Sequence, residues 1–502
     1  MATNPVDSLP DADRVAAALA ACPLVIVSDI MRDTDTARLA DVLLPATGWG
    51  EKDGTVTNSE RRISRQRAFL PAPGEARPDW WIVGEVARRL GWGEAFDFDS
   101  AAAIYREHAA LSGFENDGRR AFDIGAQAAL SDAAYDALAP VQWPLPAAGG
   151  VMAPARMFAA GGFVTDTGRA IFIAVESRRS RPSVDAAFPL HLNTGRVRDH
   201  WHTMTRTGKS PRLSVHIGEA FCAIHPSDAS VRGIEPASLV RVKSPRGEIV
   251  VRALVSADQA EGAVFVPMHW SGQFSADARV GKLLPPATDP VSGQPGLKFA
   301  AVEVMPFAAA WYGFAITRER PAVIDAAYWS AARIKGGWKL EVAGMEAPAD
   351  WPAFAATAIG DAAAGTTWQS YEDAGAGVYR YAALSAGQVV GAVFLGRKPV
   401  EVSRAWMAGL FAEAEAPEAY AQDLLAGRAG NGRPDPGATV CSCFAIGINQ
   451  IVAAISEPGG ASVDAVGKRL GAGTNCGSCR AEIQTIISAN LAGEPEALTR
   501  AG

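Results

Sequence analysis

Four cysteines near the end of this 502-residue chain constrain its C-terminal fold more tightly than any other feature. Cys441 and Cys443 form a C-x-C pair, and after thirty-two intervening residues Cys476 and Cys479 form a C-x-x-C pair. Four thiolates within one short segment are the ligand set of a [2Fe–2S] cluster or of structural zinc. Two details favour the cluster. One is the tight C-x-C pair. The other is Gly477 in Asn475-Cys476-Gly477-Ser478-Cys479, which lets backbone N–H groups turn toward sulfide and thiolate charge. Zinc remains the alternative, because C-x-x-C is equally at home in zinc ribbons.

Disulfides are a third reading, and the rest of the sequence speaks against them. The N-terminus, MATNPVDSLPDADRV, has neither the basic region nor the apolar core of a secretory signal, and Cys22 and Cys222 stand alone in apolar stretches. Cys22, just before a strand signal, reads as a lone buried cysteine. Apolar residues recur at helical spacing over 446–455 and 481–489, each just after a cysteine pair. This places the thiols on turns at helix N-termini, where the positive end of the helix favours thiolate and cluster charge.

Upstream, the length leaves room for three or four domains of ordinary size. Residues 11–92 have α/β texture, with helices expected over 11–21, 33–40 and 79–90 and short buried strands over 24–27 and 42–44. The stretch 95–140 is alanine-rich and reads as helical, 141–150 (VQWPLPAAGG) as a linker, and 163–175 (FVTDTGRAIFIAV) as a hairpin. Between 188 and 305 short β-rich runs separated by Gly and Pro predict a barrel. Residues 306–437 are mixed, with a hairpin at 378–397 and a linker at 424–440 leading to the cysteines; a docking or spacer role is expected for them. The fold class is therefore α/β and β multidomain, divided at 1–150, 151–187, 188–305, 306–437 and 438–492. A net charge of −7 argues against general nucleic-acid affinity, and no apolar run approaches the roughly 20 residues that span a bilayer. A soluble cytoplasmic protein, binding neither nucleic acid nor membrane, is expected.

Outside the cysteines, the densest group of chemically capable residues is Thr194-Gly195-Arg196-Val197-Arg198-Asp199-His200-Trp201-His202-Thr203, directly after the strand FPLHLN. A glycine that admits a close ligand, arginines suited to phosphate, two histidines, hydroxyls and an indole fit a large anionic, partly aromatic ligand such as a phosphorylated heterocycle. Ordinary uses are available for each: an Arg–Asp pair, satisfied histidines, or an H-x-H zinc site. Ser28 and Asp29 end the first strand, where open α/β sheets place ligands, or else cap the next turn. The charged segment 51–62, with Lys52, reads as a solvated loop, and Asp79 after Pro78 as a helix N-cap.

VCSCFAIGINQIVAAI and VGKRLGAGTNCGSCRAEIQTII resemble the BFD-like [2Fe–2S] domain, a small helical module. SDIMRDTDTARLADVLLPATGWGEKDGTVTNSERRISRQRAF, GEARPDWWIVGEVARRLGW, TGRVRDHWHTMTRTGKSPRL and ATDPVSGQPGLKFAAVEV resemble, in order, the C-terminal half of the molybdopterin oxidoreductases of the nitrate reductase and formate dehydrogenase group. The tail narrows that resemblance toward assimilatory nitrate reductases, with formate dehydrogenase the rival. It implies a partial Rossmann-like α/β domain and a barrel of double-psi topology. It also implies a bis-molybdopterin guanine dinucleotide (bis-MGD) cofactor and reduction of nitrate to nitrite. Ser28, Asp29, Lys52 and Asp79 would contact the guanine nucleotide or phosphates of one MGD. Thr194 through Thr203, with Lys298, would hold pterin and phosphate, and His200 and His202 would hydrogen-bond pterin nitrogens. Cys441, Cys443, Cys476 and Cys479 would ligate the [2Fe–2S] cluster. It would take electrons from a donor such as an NADH-dependent flavoprotein, ferredoxin or flavodoxin.

The sequence also departs from that pattern. The family's C-x-x-C-x-x-x-C motif and later cysteine for a [4Fe–4S] cluster, and the cysteine that ligates molybdenum in this group, do not occur here. The chain is thus expected to be the C-terminal part of a longer enzyme, from a split, truncated or mis-started gene, and inactive alone. The [4Fe–4S] cluster is expected only in the missing N-terminal part, which could be a separate subunit. The rival readings are a non-catalytic electron-transfer or cofactor-binding module working with such a subunit, and a decayed fragment. No residue stands out as a catalytic acid or base. Gly281 stands where related enzymes carry a cofactor-binding asparagine.

Overall fold

The computed structural model describes residues 1–147, 156–159, 161–174, 184–321, 324–360, 365–411, 421–428, 430 and 434–493. The chain divides into two units: residues 1–3, 24–32 and 40–180 make the first, and residues 4–23, 33–39 and 181–502 the second.

The first unit rests on two parallel strands, β1 (Ile26–Asp29) and β2 (Val42–Pro45). β1 begins two residues later than its apolar run predicts, and Leu24 and Ile26 are 59% and 54% exposed rather than buried. The helix Asp79–Arg89 turns Ile82 and Ala87 inward, and Gly91, at φ +91°, breaks away from it. Expected as a loop, 51–62 instead supplies β3 (Gly54–Thr57) and the start of β4 (Arg62–Gln66). The Asn58 carboxamide closes their turn by accepting from the Glu60 and Arg62 N–H groups. The expected linker at 141–150 begins as β5 (Val141–Gln142), paired with β4; residues 148–150 lie outside the described part. Only 101–113 and 132–136 of the alanine-rich stretch are α-helical, each capped by a serine hydroxyl, Ser100 and Ser131. The expected hairpin at 163–175 forms its turn, closed by the Phe163 N–H to the Gly168 carbonyl at 3.1 Å, but no strand among its described residues. Ile171, Phe172 and Ile173 are exposed there, with no pairing partner to make a strand of that arm.

In the second unit, Ala12–Ala20 is helical as expected, but 33–40 makes only a 3₁₀ turn at Ala37–Leu39. Its polar side chains take distant partners instead. The Thr36 hydroxyl donates to Asn4 Oδ1 at 2.6 Å, and the Asp35 carboxylate accepts the Gly272 N–H at 2.8 Å. Cys22 is exposed, not buried, whereas Cys222 is sealed in the barrel, where burial pushes its thiol up to about 12. The barrel is β6 (Leu190–Gly195), β7 (Phe221–Ile224), β8 (Leu239–Lys243), β9 (Glu248–Val255), β10 (Ala263–Pro267) and β11 (Ala300–Pro306). It closes in the order β10-β6-β11-β8-β9-β7. β6 and β10 are parallel neighbours, so the loops that follow them open at the same end of the barrel.

The mixed region after the barrel holds an antiparallel sheet of β12 (Trp311–Thr317), β13 (Tyr328–Ile334), β14 (Gly337–Gly344), β15 (Thr367–Asp373), β16 (Val378–Ser385) and β17 (Gln388–Gly396). The hairpin read at 378–397 is β16–β17. Period-two alternation serves two cores: Trp311 and Ala315 face the helix Trp351–Ile359, while Phe314 and Ile316 face the helix Arg404–Phe411. Charge joins this sheet to the barrel. Arg252 of β9 grips Glu219 through Nε at 2.8 Å and Nη2 at 2.7 Å, and the Tyr328 hydroxyl donates to Glu219 at 2.5 Å. Arg404 in turn holds Glu341 through two bonds, at 2.9 and 3.1 Å.

The terminal module has a short pair, β18 (Thr439–Cys441) and β19 (Ile446–Gly447), and three helices, Ile448–Ser456, Val463–Leu470 and Arg480–Ala492. The middle helix, capped by Ser462, was not anticipated from the sequence. Ile451, Ile455, Val466, Ile483 and Ile487 form its core together with Cys441 and Cys479.

Candidate cofactor and cluster sites

In the first unit, three of the four expected residues converge. Ser28, buried at the end of β1, donates to Asp79 Oδ1 at 3.3 Å, and Lys52 Nζ lies 3.3 Å from Asp79 Oδ2. Asp79 is the first residue of its helix rather than the N-cap, a position held by Pro78 without a side-chain bond. Its carboxylate is therefore committed to Ser28 and Lys52. Asp29 accepts the Met31 N–H at 3.0 Å, as a turn cap does; burial raises its pKa against the backbone hydrogen bonds that lower it. Beside Ser28 lies an apolar cleft of about 450 Å³ lined by Ile26, Leu44, Ile82, Val83 and Trp92.

In the second unit, the segment 194–203 separates into three groups. Some residues are structural. The Thr194 hydroxyl donates to the Leu297 carbonyl, and Lys298 Nζ donates to the Thr194 carbonyl at 2.9 Å, tying the barrel mouth together. A Cβ on Gly195 would sit 2.8 Å from the Phe265 ring, so intramolecular packing already requires this glycine, and Val197 packs on the barrel core. His200 was expected to reach a pterin, but both its ring nitrogens are taken, Nδ1 by the Thr207 hydroxyl at 3.1 Å and Nε2 by the Ile217 carbonyl at 3.2 Å. Burial lowers its pKa.

Arg198 and Asp199 form the second group. Expected at the cofactor, they engage the terminal module and His216.

Arg196, Trp201, His202 and Thr203 form the third. Arg196 makes no hydrogen bond or ion pair among the described residues, while Trp201 and His202 are exposed. His202, Thr203 and Met204 are all left-handed, at φ 49°, 50° and 58°, a costly run for non-glycine residues.

Sequence reasoning missed His269, which follows β10. It is buried, its Nε2 has no partner, and burial together with the nearby His200, Arg196 and His202 charges pulls its pKa down to about 4. The Gln273 Oε1 and Trp270 Nε1 atoms are orphaned in the same way. Pairing of β6 with β10 brings His269 to the same end as Arg196. An uncommitted guanidinium beside an orphaned buried imidazole nitrogen suits an anionic heterocycle. The only available hint was His269-Trp270 ending a β-run, as Trp201-His202 nearly does.

The four terminal thiols stand as two pairs. Cys443 Sγ lies 3.4 Å from Cys476 Sγ, and Cys441 and Cys479 are both buried in the module's core, close enough for Cys441 to raise the Cys479 pKa. Cys479 caps the last helix, as expected, whereas Cys441 ends a strand and Cys443 precedes its helix by more than one turn. Among the described residues no three ligand side chains gather about one point. Two plus two suits a dinuclear cluster better than a single tetrahedral zinc. The Ser478 hydroxyl and N–H hold the Cys476 thiol low, whereas burial and Cys441 push Cys479 up to about 11. Iron binding must itself displace that proton.

Residues 1–89 match the family model of the molybdopterin oxidoreductases, residues 190–301 that of the molybdopterin dinucleotide binding domain, and residues 439–489 that of the BFD-like [2Fe-2S] binding domain. The chain is built from molybdopterin oxidoreductase domains. Its barrel is the family's dinucleotide-cofactor domain and its tail a [2Fe–2S] domain, so the zinc and disulfide readings fall away. A nitrate reductase of Klebsiella oxytoca is 42% identical over 98% of this chain and 55% of its own length. A nitrate reductase of Shewanella frigidimarina is 44% identical over 62% of this chain and 36% of its own length. A formate dehydrogenase alpha subunit of Methanococcus maripaludis is 34% identical over 61% of this chain and 42% of its own length. The chain thus spans about half the length, or less, of these relatives. No helix among the described residues is long and apolar enough to cross a membrane.

Proposed function

We propose that this chain is the C-terminal part of an assimilatory nitrate reductase that takes in electrons at its [2Fe–2S] tail and holds part of bis-MGD at the barrel mouth. The observation that carries this is the similarity to the Klebsiella nitrate reductase, which runs over 98% of the chain, tail included. The formate dehydrogenase similarity covers 61%, which makes that the weaker reading.

The molybdenum–dithiolene centre, when bound, supplies the oxygen-atom chemistry by which nitrate, two electrons and two protons become nitrite and water. The chain's own residues bind and orient. Arg196 and the remaining N–H donors of Lys52 neutralise phosphate charge, and the Asp79 carboxylate, held in place by Ser28 and Lys52, keeps lone pairs that accept from a nucleotide edge. His269, neutral at pH 7, offers its orphaned Nε2 to a ring N–H or hydroxyl, with Trp201, His202 and Thr203 lining the mouth. Exposed Leu24, Ile26, Leu90 and Trp92 are apolar surface that a larger α/β sheet would cover, in keeping with a further N-terminal part that carries the remaining ligands and the [4Fe–4S] cluster.

The test is anaerobic reconstitution of the purified chain with iron and sulfide, followed by assay of reduced-viologen oxidation with nitrate and, for the alternative substrate, of oxidised-viologen reduction with formate. About two irons and two sulfides per chain, with nitrate turnover only when an N-terminal part is supplied, is the expected result. Nitrate reduction by the chain alone refutes the division of labour, and turnover of formate but not nitrate refutes the substrate.

A further inference from the structure

Arg198 and Asp199 lie inside the barrel loop that carries Arg196 and His202, yet their side chains are spent on the cluster module. Arg198 Nη1 lies 3.2 Å from Glu482 Oε2, and Nη2 donates to the Val440 carbonyl at 3.2 Å and to Ser442 Oγ at 3.4 Å. Ser442 Oγ also donates to Asp199 Oδ2 at 3.4 Å. His216, following the short helix Pro211–Ser214, stands between the two carboxylates, 3.2 Å from Asp199 and 3.4 Å from Glu482. All four charged side chains are at most 25% exposed. Val440 and Ser442 flank Cys441, and Glu482 is in the first turn of the helix that Cys479 caps, so one guanidinium touches the module on both sides of its thiols.

We propose that Arg198, with Asp199, His216 and Glu482, is the clamp that seats the [2Fe–2S] module on the cofactor loop of the barrel, and that the Arg198 charge helps set the cluster's reduction potential. Arg198 is thus a positioning residue rather than a pterin ligand. A planar fork suits this better than an ammonium, because it satisfies a carboxylate, a carbonyl and a hydroxyl at fixed angles. A half-buried charge pair whose partner is removed leaves the other charge stranded, so the seat is specific as well as attractive. Arg198 Nη2 bonds to both chain neighbours of Cys441, and a positive charge near a cluster stabilises its more negative, reduced state. The proposal rests on the [2Fe–2S] character of the tail and is independent of the substrate.

The test compares the reconstituted full chain with R198E, E482R, the double exchange and R198K. Two readouts are used: amide hydrogen exchange over 196–203 and 438–447, and the midpoint potential of the cluster followed by EPR. R198E and E482R are each expected to raise exchange on both surfaces by about tenfold or more. R198E is also expected to make the potential more negative. The double exchange should restore protection, and R198K should keep most of the potential while losing part of the protection. Iron and sulfide content shows whether each module has folded and whether the cluster assignment itself holds; exchange protection needs no cluster and judges the clamp separately. Unchanged exchange in R198E and E482R, or no recovery in the double exchange, overturns the clamp. An unchanged potential in R198E overturns the electrostatic role.

Discussion

Replacing Glu219 by Gln should loosen the join between the barrel and the sheet of β12–β17. In the native protein the carboxylate takes two bonds from Arg252 and one from the Tyr328 hydroxyl. Glu219 and Arg252 are 21% and 25% exposed, and Glu341 remains 3.9 Å from Arg252. Stranding one partner of a fully buried pair costs about 3–5 kcal/mol. With partial exposure, the remaining carboxylate and the hydrogen-bonding capacity of Gln, about 2–3 kcal/mol is expected here. At about 2–4 °C per kcal/mol for a cooperative unit of this size, the barrel-and-sheet transition should fall by about 4–12 °C. Scanning calorimetry, with tryptophan fluorescence from Trp311, Trp329 and Trp338 as a local probe, measures it. Arg252, then the Tyr328 hydroxyl and Lys339, outweigh the cost of burial and hold the Glu219 pKa below 4.5. A depressed carboxyl contributes stability that is fully present above its unfolded pKa and lost as pH falls through the folded value. The difference between native protein and E219Q should therefore be constant from pH 8 down to about 5.5 and shrink below about 4.5. A shift under about 1 °C at pH 7, or one that changes between pH 5.5 and 8, would falsify this account of the join.

Three further outcomes follow from the sites. His269→Leu should weaken cofactor retention, measured as pterin released from the assembled enzyme. It should also flatten the loss of thermal stability expected of the native chain as pH falls from 6.5 toward about 4, because over that range the unfolded histidine takes up a proton that the buried one refuses. Gly281→Asn should destabilise the second unit: its Cβ would lie 2.6 Å from the Leu9 carbonyl oxygen, so a lower melting temperature without better cofactor binding is expected. Cys443→Ser should cut iron and sulfide content to a small fraction of wild type, whereas Cys22→Ser should leave both unchanged; equal loss in the two variants would contradict the ligand set.

Most elements with a strong local cause were legible. The barrel strands, the β16–β17 hairpin and the helices after the cysteine pairs follow period-two or helical spacing bounded by Gly and Pro. Failures came where a side chain had a distant partner. Residues 33–40 have helix-cap residues, but Thr36 and Asp35 bond to Asn4 and Gly272. The loop 51–62 is rich in charge, yet β-branched Thr55, Val56 and Thr57 pair with β4. The turn at 163–168 closed, but no strand follows it among the described residues.

Sequence by itself determined the kind of chemistry. Four cysteines at those spacings call for a soft-metal site, iron–sulfur or zinc, and the dense segment 194–203 offers the groups that an anionic cofactor needs, because ligand type and local spacing are short-range properties of a chain. Only the tertiary structure decided which of those residues are free to act. His200 is consumed by Thr207 and Ile217, Gly195 is required by Phe265, and Arg198 and Asp199 hold the cluster module, while His269 arrives from a strand some seventy residues downstream. Each side chain has a limited number of donors and acceptors, and only long-range packing determines which groups reach them first.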